Sequence, residues 1–366
     1  MGWVPRFPEV KANLGVNNGL FGSVLSFGAF GSLAALLTIG HLVDHFGGKK
    51  MLIAGQTLLT LSFISIIHIR NVEAFLFLNI LVGFSISTLH IANNAQAFYD
   101  QDRGGKNLVV SAAGYWSAGS LLTTVLSMYL IGRVDLGIHI SILQVVVYVL
   151  SILVILKRKE TLIPSNKHER VSKSILNDLR KFNFDWMINF GLIFGIMLEF
   201  SIGDWSTIFA KEEGAISATW APLPFLCFTL FMIFGRVSIT SLRKRFKINN
   251  MVKFGGVLAG TSFIIGVWFI DVFGLIGLMI TFSLAGLGSS FIGPSFLNIA
   301  NTRINLPSSI VIGQISAVNV MLSWLLKQVV AFAAQTAGLQ VALTIPALMA
   351  IAVGLFTGVF QPIQAK

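Results

Sequence analysis

Gly40–Lys50, GHLVDHFGGKK, is a charged, glycine-marked turn between two apolar runs of membrane-spanning length. An apolar run of that length bounded by charge reads as a transmembrane helix, so this turn is the first loop that the chain must keep in water. Gly40 is expected to let two helix ends approach closely, Gly47 to take the positive φ that reverses the chain, and Lys49 with Lys50 to hold the loop at the cytoplasmic face. Asp44 is expected to accept hydrogen bonds from the exposed amides of a neighbouring helix start and to release them when the helices move. That makes it a candidate conformational latch; the alternative is an ordinary solvated carboxylate at a helix end.

The composition around the turn agrees. Of the 366 residues, 55% are hydrophobic and 11% charged, against the roughly 25% charge of a soluble domain. This is the composition of a polytopic membrane protein. One cysteine, Cys227, excludes an intrachain disulfide and a cysteine-based metal cluster. Residues 1–18 form neither a signal peptide nor a span, because Pro5, Arg6, Pro8, Glu9 and Lys11 interrupt any apolar core.

Spanning windows fall at 19–39, 51–69, 74–98, 108–131, 136–156, 187–210, 217–237, 252–270, 272–299, 309–334 and 338–360. The expectation is an all-α membrane protein of about eleven transmembrane helices. A bundle of five over 1–156 precedes a cytoplasmic linker at 157–186, and a bundle of six follows over 187–366. In the linker, Ile175, Leu176, Leu179 and Phe182 recur at helical spacing beside Lys173, Arg180 and Lys181, the pattern of a short helix on the inner membrane surface.

Charge fixes the orientation. With the Gly40 turn inside, twenty of the 26 Lys and Arg residues, Arg236 among them, fall on the inner side. Arg6, Lys11, Arg70, Arg133 and Lys211 fall outside, and Lys327 lies within a span. This asymmetry is the positive-inside rule, so the net charge of +11 is topological and nucleic acid is not an expected partner. The second half repeats the first in outline: Gly235 and Arg236 lead through Arg243, Lys244 and Arg245 into the next span, without a twin of Asp44.

The Gly40 turn resembles the signature loop of the major facilitator superfamily, Gly-x-x-x-Asp-(Arg/Lys)-x-Gly-(Arg/Lys)-(Arg/Lys). Gly40, Asp44, Gly47 and Lys49 match, whereas His45 and Gly48 replace basic residues. Trp3, Pro5, Arg6 and Pro8, the run Glu199…Gly203-Asp204-Trp205-Ser206, and Met232, Gly235 and Arg236 are similar to a bacterial inner-membrane branch related to fucose-permease-type sugar/proton symporters. Phe200 replaces the glycine that follows the glutamate in that branch.

The resemblance implies two six-helix bundles, so the spans count as helices 2 to 12, and helix 1 is expected to be missing or to lie upstream of Met1. It further implies secondary transport of a small polar, sugar-like solute by alternating access, in a monomer of the bacterial inner membrane, with no cofactor. Acidic residues on helices 1 and 4 serve the fucose-type symporters; here helix 4 offers only His90, Asn93, Asn94 and Gln96.

Intramembrane charge is costly and so points to function. Of fifteen acidic residues only Glu199 and Asp204 lie deep in a span, and Lys327 is the one deeply placed strong base. Asp204 and Lys327 fall at one depth on helices that neighbour each other in the family fold, so they are expected to form a buried ion pair. That leaves Glu199 unpaired and facing a cavity, able to take up and release a proton, and makes proton coupling an expectation. The bland alternative is a fixed scaffold pair.

The polar lining is expected from His90 with Asn94 and Asn93 with Gln96, which share helical faces, with Tyr115, Trp116 and Trp205 as aromatic surface for a ring. Asn298, Gln314 and Asn319 complete it; for any one asparagine, interhelical hydrogen bonding is an equal reading. No second histidine stands at ligand spacing from His90, so no metal is expected. HExxH, GxSxG and GxxxxGK are absent, which argues against an enzyme or an ATP-driven pump. Two other readings stay open at this point: export of amphipathic compounds, and a truncated, non-transporting membrane sensor or regulator.

Overall fold

The computed structural model describes residues 2–104, 108–157, 185–303 and 308–360. The linker helix expected around 175–182 lies outside them, as does the side chain of Asp44. Helices occupy every one of the eleven windows, and the described residues contain no strand. After a 3₁₀ turn at Val4–Arg6 come α1 (Phe7–Leu14), α2 (Asn18–Ser26), α3 (Gly28–Phe46), α4 (Gly48–Ile66), α5 (Val72–Gly104), α6 (Leu108–Leu130) and α7 (Leu136–Lys157). Beyond the linker follow α8 (Trp186–Glu212), α9 (Leu223–Leu242), α10 (Ile248–Trp268), α11 (Ile270–Ser289), α12 (Ile292–Arg303), α13 (Ser308–Thr336) and α14 (Leu339–Ala352), the last continued by a 3₁₀ segment, Val353–Phe360. Among the described residues, eight helical stretches are each long and apolar enough to cross a membrane, so the chain is a multi-pass integral membrane protein.

Met1–Ser23, Leu121–Arg133 and Phe184–Lys366 form one compact unit, and Val24–Ser120 with Val134–Asn183 form the other. Two helices, α2 and α6, therefore change unit part-way along their length, between Ser23 and Val24 and between Ser120 and Leu121.

In the second unit, α3 and α5 cross with their backbones touching. A Cβ built on Gly31 would overlap the carbonyl oxygen of Ile80, and one on Gly83 would overlap that of Gly28. The span formed by α2 and α3 is broken at Phe27, and Asn79 on α5 serves the break. Its Nδ2 donates to the carbonyls of Val24 (3.1 Å) and Leu25 (2.6 Å), as a span must arrange wherever its own ladder is interrupted.

Gly47 joins α3 to α4 at φ 87°, and its N–H closes α3 on the Val43 carbonyl at 2.9 Å. Lys49 Nζ donates to the Leu156 carbonyl, 3.4 Å away at the end of α7. The close approach expected at Gly40 is not there: the residue is exposed, and nothing stands within 4 Å of where its Cβ would be. Its freedom serves no crossing among the described residues.

In the first unit, Ile188, Leu192, Val252, Ile292, Phe296 and Val311 pack one core between α8, α10, α12 and α13. Phe296 and Ile292 fill the spaces that a side chain at Gly191 and Gly195 would need, while Gly256 and Gly260 bring α10 against the carbonyls of Ala350 and Ala347. The N-terminal segment belongs to this unit. Arg6 is 1% exposed and forks onto Glu9, with Nε to Oε1 at 2.9 Å and Nη2 to Oε2 at 2.7 Å. Lys11 and Asn18 both bond the carboxylate of Glu212 at the end of α8, at 2.5 Å and 3.0 Å.

Candidate functional site

The acidic helix of the first unit is α8. Asp185 caps it, its Oδ1 accepting from the Ile188 N–H at 3.0 Å, and the helix then runs without interruption to Glu212. Glu199 sits at its middle, and Arg236 reaches it from α9. Arg236 Nη2 lies 3.0 Å from Glu199 Oε2 and 3.3 Å from Oε1, while Nε donates to the Ser290 carbonyl at 3.1 Å. Glu199 is therefore not the unpaired carboxylate expected from the sequence. Nor is Arg236 part of an inner loop, as the charge pattern suggests: it lies inside α9, within the apolar stretch Leu223–Ile239.

Beyond Glu199, toward the outer end of the same helix, Lys327 Nζ on α13 lies 2.7 Å from Asp204 Oδ2; the two side chains are 21% and 20% exposed. The Lys327 ammonium also stands 5.1 Å from the centroid of the Phe200 ring, so the residue that departs from the resembling branch adds a cation–π contact to the pair.

Polar side chains of the second unit gather on α5 and α6. The His90 and Trp116 rings lie 4.4 Å apart at 57°, and Tyr115 is 80% exposed. His90, Asn93 and Asn94 are exposed too, whereas Gln96 is buried and donates through Nε2 to Asp100 Oδ1 at 2.9 Å.

A model of the Major Facilitator Superfamily matches residues 4–325. The chain belongs to the Major Facilitator Superfamily. An uncharacterized MFS-type transporter of Yersinia pestis is 24% identical over 361 residues, covering 96% of this chain and 89% of that protein. Among solved structures, a mutant of the nucleoside transporter NupG superposes with a TM-score of 0.75 at 14% identity, over 98% of this chain and 96% of that one. A mutant of the E. coli fucose:proton symporter FucP gives 0.62 at 18% identity, over 99% and 94%. At such identities the two structures carry the fold alone. As a Major Facilitator Superfamily member the chain is a membrane transporter.

Two residues expected in the polar and aromatic lining are placed otherwise. Trp205 is 3% exposed, its ring filling the space that a Cβ on Gly22 of α2 would need. Asn319 is 6% exposed and donates to Asn189 Oδ1 at 3.2 Å and to the Ile315 carbonyl at 3.0 Å, which makes it an interhelical tie rather than a lining residue. Gln314 is half-buried on α13, while Asn298 on α12 is exposed. Sequence reasoning missed Asn79, Asn189 and the use of Arg236. The signal for Arg236 was present, since a guanidinium inside an apolar stretch demands a partner.

Proposed function

We propose that this chain is a proton-coupled secondary transporter of the bacterial inner membrane, working as a monomer and opening alternately to the two sides. Its solute is a small, uncharged, hydroxyl-rich ring compound of the sugar or nucleoside kind. The observation that carries the reading is the exposed His90, Asn93 and Asn94 beside Trp116. Amide and imidazole groups at spanning depth are costly against lipid and become useful along a wetted path, where they exchange hydrogen bonds with hydroxyl groups. Trp116, 49% exposed, offers a face for a ring. Charge supports an uncharged solute: Glu199 is offset by Arg236 and Asp204 by Lys327, so neither ion pair leaves a net charge to attract an ion. NupG is a nucleoside transporter and FucP a fucose:proton symporter, and a solute of that chemistry suits the same polar groups.

Uptake of labelled sugars and nucleosides into proteoliposomes, with and without an inward proton gradient, tests this. Gradient-driven accumulation of at least one such solute is expected. Asn94→Leu should raise the half-saturating concentration about tenfold, the equivalent of one lost hydrogen bond of roughly 1.4 kcal/mol. Glu199→Gln should leave exchange and remove accumulation. Silence toward every hydroxylated solute, with extrusion of amphipathic dyes instead, would transfer the reading to export.

A further inference from the structure

We propose that Arg236 is a positioning residue that ties the charge of Glu199 to the break between α11 and α12, so that a proton on Glu199 releases the inner segment α12. The inference rests on the proton-coupled reading above and adds the part that moves.

The break has a chemical cause. An unbroken helix would satisfy the Ser290 carbonyl with the N–H of residue 294, and residue 294 is proline, which has none. Ser290 and Phe291 leave the helix, and the freed carbonyl is served by Arg236 Nε at 3.1 Å. Gly235 makes this reach possible, since a side chain there would overlap Ser290. One planar guanidinium thus holds two acceptors on different helices, a carboxylate through Nη2 and a broken helix through Nε.

The two sides of the break are held differently. Gly286 and Gly288 bring α11 into backbone contact with the Phe228 and Gly255 carbonyls, whereas α12 is held through the side chains of Ile292 and Phe296. The inner segment is the one that can tilt.

With Glu199 ionised, the guanidinium is neutralised in place and caps Ser290. A proton taken up by Glu199 removes the anion, the guanidinium charge is then better placed in water, and Arg236 is 40% exposed and so has water to turn toward. The Ser290 carbonyl loses its donor, and α12 must tilt to find another. Loss of the proton reverses the sequence.

The other charged groups on elements packed against α8 are Lys327 on α13, which is paired with Asp204, Asp271 at the start of α11, Arg303 closing α12, Lys253 on α10, and Arg6, Glu9 and Lys11 of the N-terminal segment. Among the described residues, the ion pair recorded for Glu199 is with Arg236.

The test measures α12 directly. Spin labels at Asn250→Cys and Thr302→Cys, two exposed positions near the inner ends of α10 and α12, are placed on the full chain in nanodiscs after Cys227→Ser. The distance between them should change by about 2 Å or more on acidification, the scale of helix shifts in switching proteins. Glu199→Gln should give the acidic distance in alkaline buffer and abolish the response.

Arg236→Lys keeps a cation for Glu199 but cannot fork onto Ser290, and Pro294→Ala gives Ser290 a backbone donor that makes Arg236 dispensable there. Both should lose the response to acid, and Pro294→Ala does so without touching the ion pair. An acid response unchanged in these two variants, or absent from the parent chain, would overturn the relay. If accumulation still depends on Glu199 in that case, the proton-coupled reading stands without it; if accumulation ignores Glu199→Gln, that reading fails as well.

Discussion

Gly31→Leu is expected to separate α3 from α5 and to lower the thermal midpoint of the purified protein more than any surface change. A side chain at Gly31 meets backbone on the facing helix, with the Ile80 carbonyl oxygen in its place and the Phe84 amide nitrogen 2.6 Å away. A rotamer change cannot relieve an overlap that begins at Cβ. The helices must move apart, and three features depend on their closeness: the Gly28–Gly83 contact, the Ser32 hydroxyl bond to the Gly83 carbonyl at 3.3 Å, and the Asn79 bonds across the break at Phe27. Overpacking a filled core costs about 1–3 kcal/mol, and a backbone obstacle puts this case at the upper end. Gly40→Leu is the control, because its Cβ enters open space on the same helix, and its effect should stay within about 0.5 kcal/mol. Equal midpoints for the two variants, measured by thermal unfolding in one detergent, would refute the close crossing.

The contrast between Gly31 and Gly40 shows what a sequence of this kind reveals. Spanning helices are legible because the bilayer imposes a length and an apolar composition on each segment separately, and the turn at Gly47 is legible because reversing the chain is a local demand. What stands opposite a residue is not local. Gly40 carries the motif and touches nothing, whereas Gly31, an ordinary glycine in an apolar run, holds the crossing. Trp205 follows Asp204 directly, but one residue turns a helix by about 100°, so the two look toward different neighbours: Asp204 toward Lys327, Trp205 toward Gly22. Arg236 is hidden in the sequence because it stands at the edge of its apolar window, and its partner depends on the rotation of α9 against α8. Asn79 gives no sign at all, since the break at Phe27 is not marked by a proline. Depth along a span can be read from residue counts, and that is why Asp204 and Lys327 are placed at one level by the sequence alone.

Breaking that pair from either side should cost more than removing it whole. Asp204 and Lys327 are each about one-fifth exposed, so a lone survivor keeps some water, and each single neutralisation should destabilise by roughly 3 kcal/mol, the lower end for a buried pair. The two singles should also differ. Asp204→Asn leaves an ammonium that still faces the Phe200 ring at 5.1 Å, worth about 0.5–2 kcal/mol, whereas Lys327→Gln leaves a carboxylate with no comparable contact. Lys327→Gln is therefore the more damaging, Asp204→Asn the milder, and the double variant the most stable of the three. Unfolding of all four proteins in one detergent gives the cycle, and adding Phe200→Leu should erase the difference between the singles. A double variant no better than Lys327→Gln alone would sink the pairing. If instead the double variant is restored in stability but not in solute uptake, the ion pair serves transport as well as scaffold, because two neutral amides can keep the helices together without the charge that opens and closes with them.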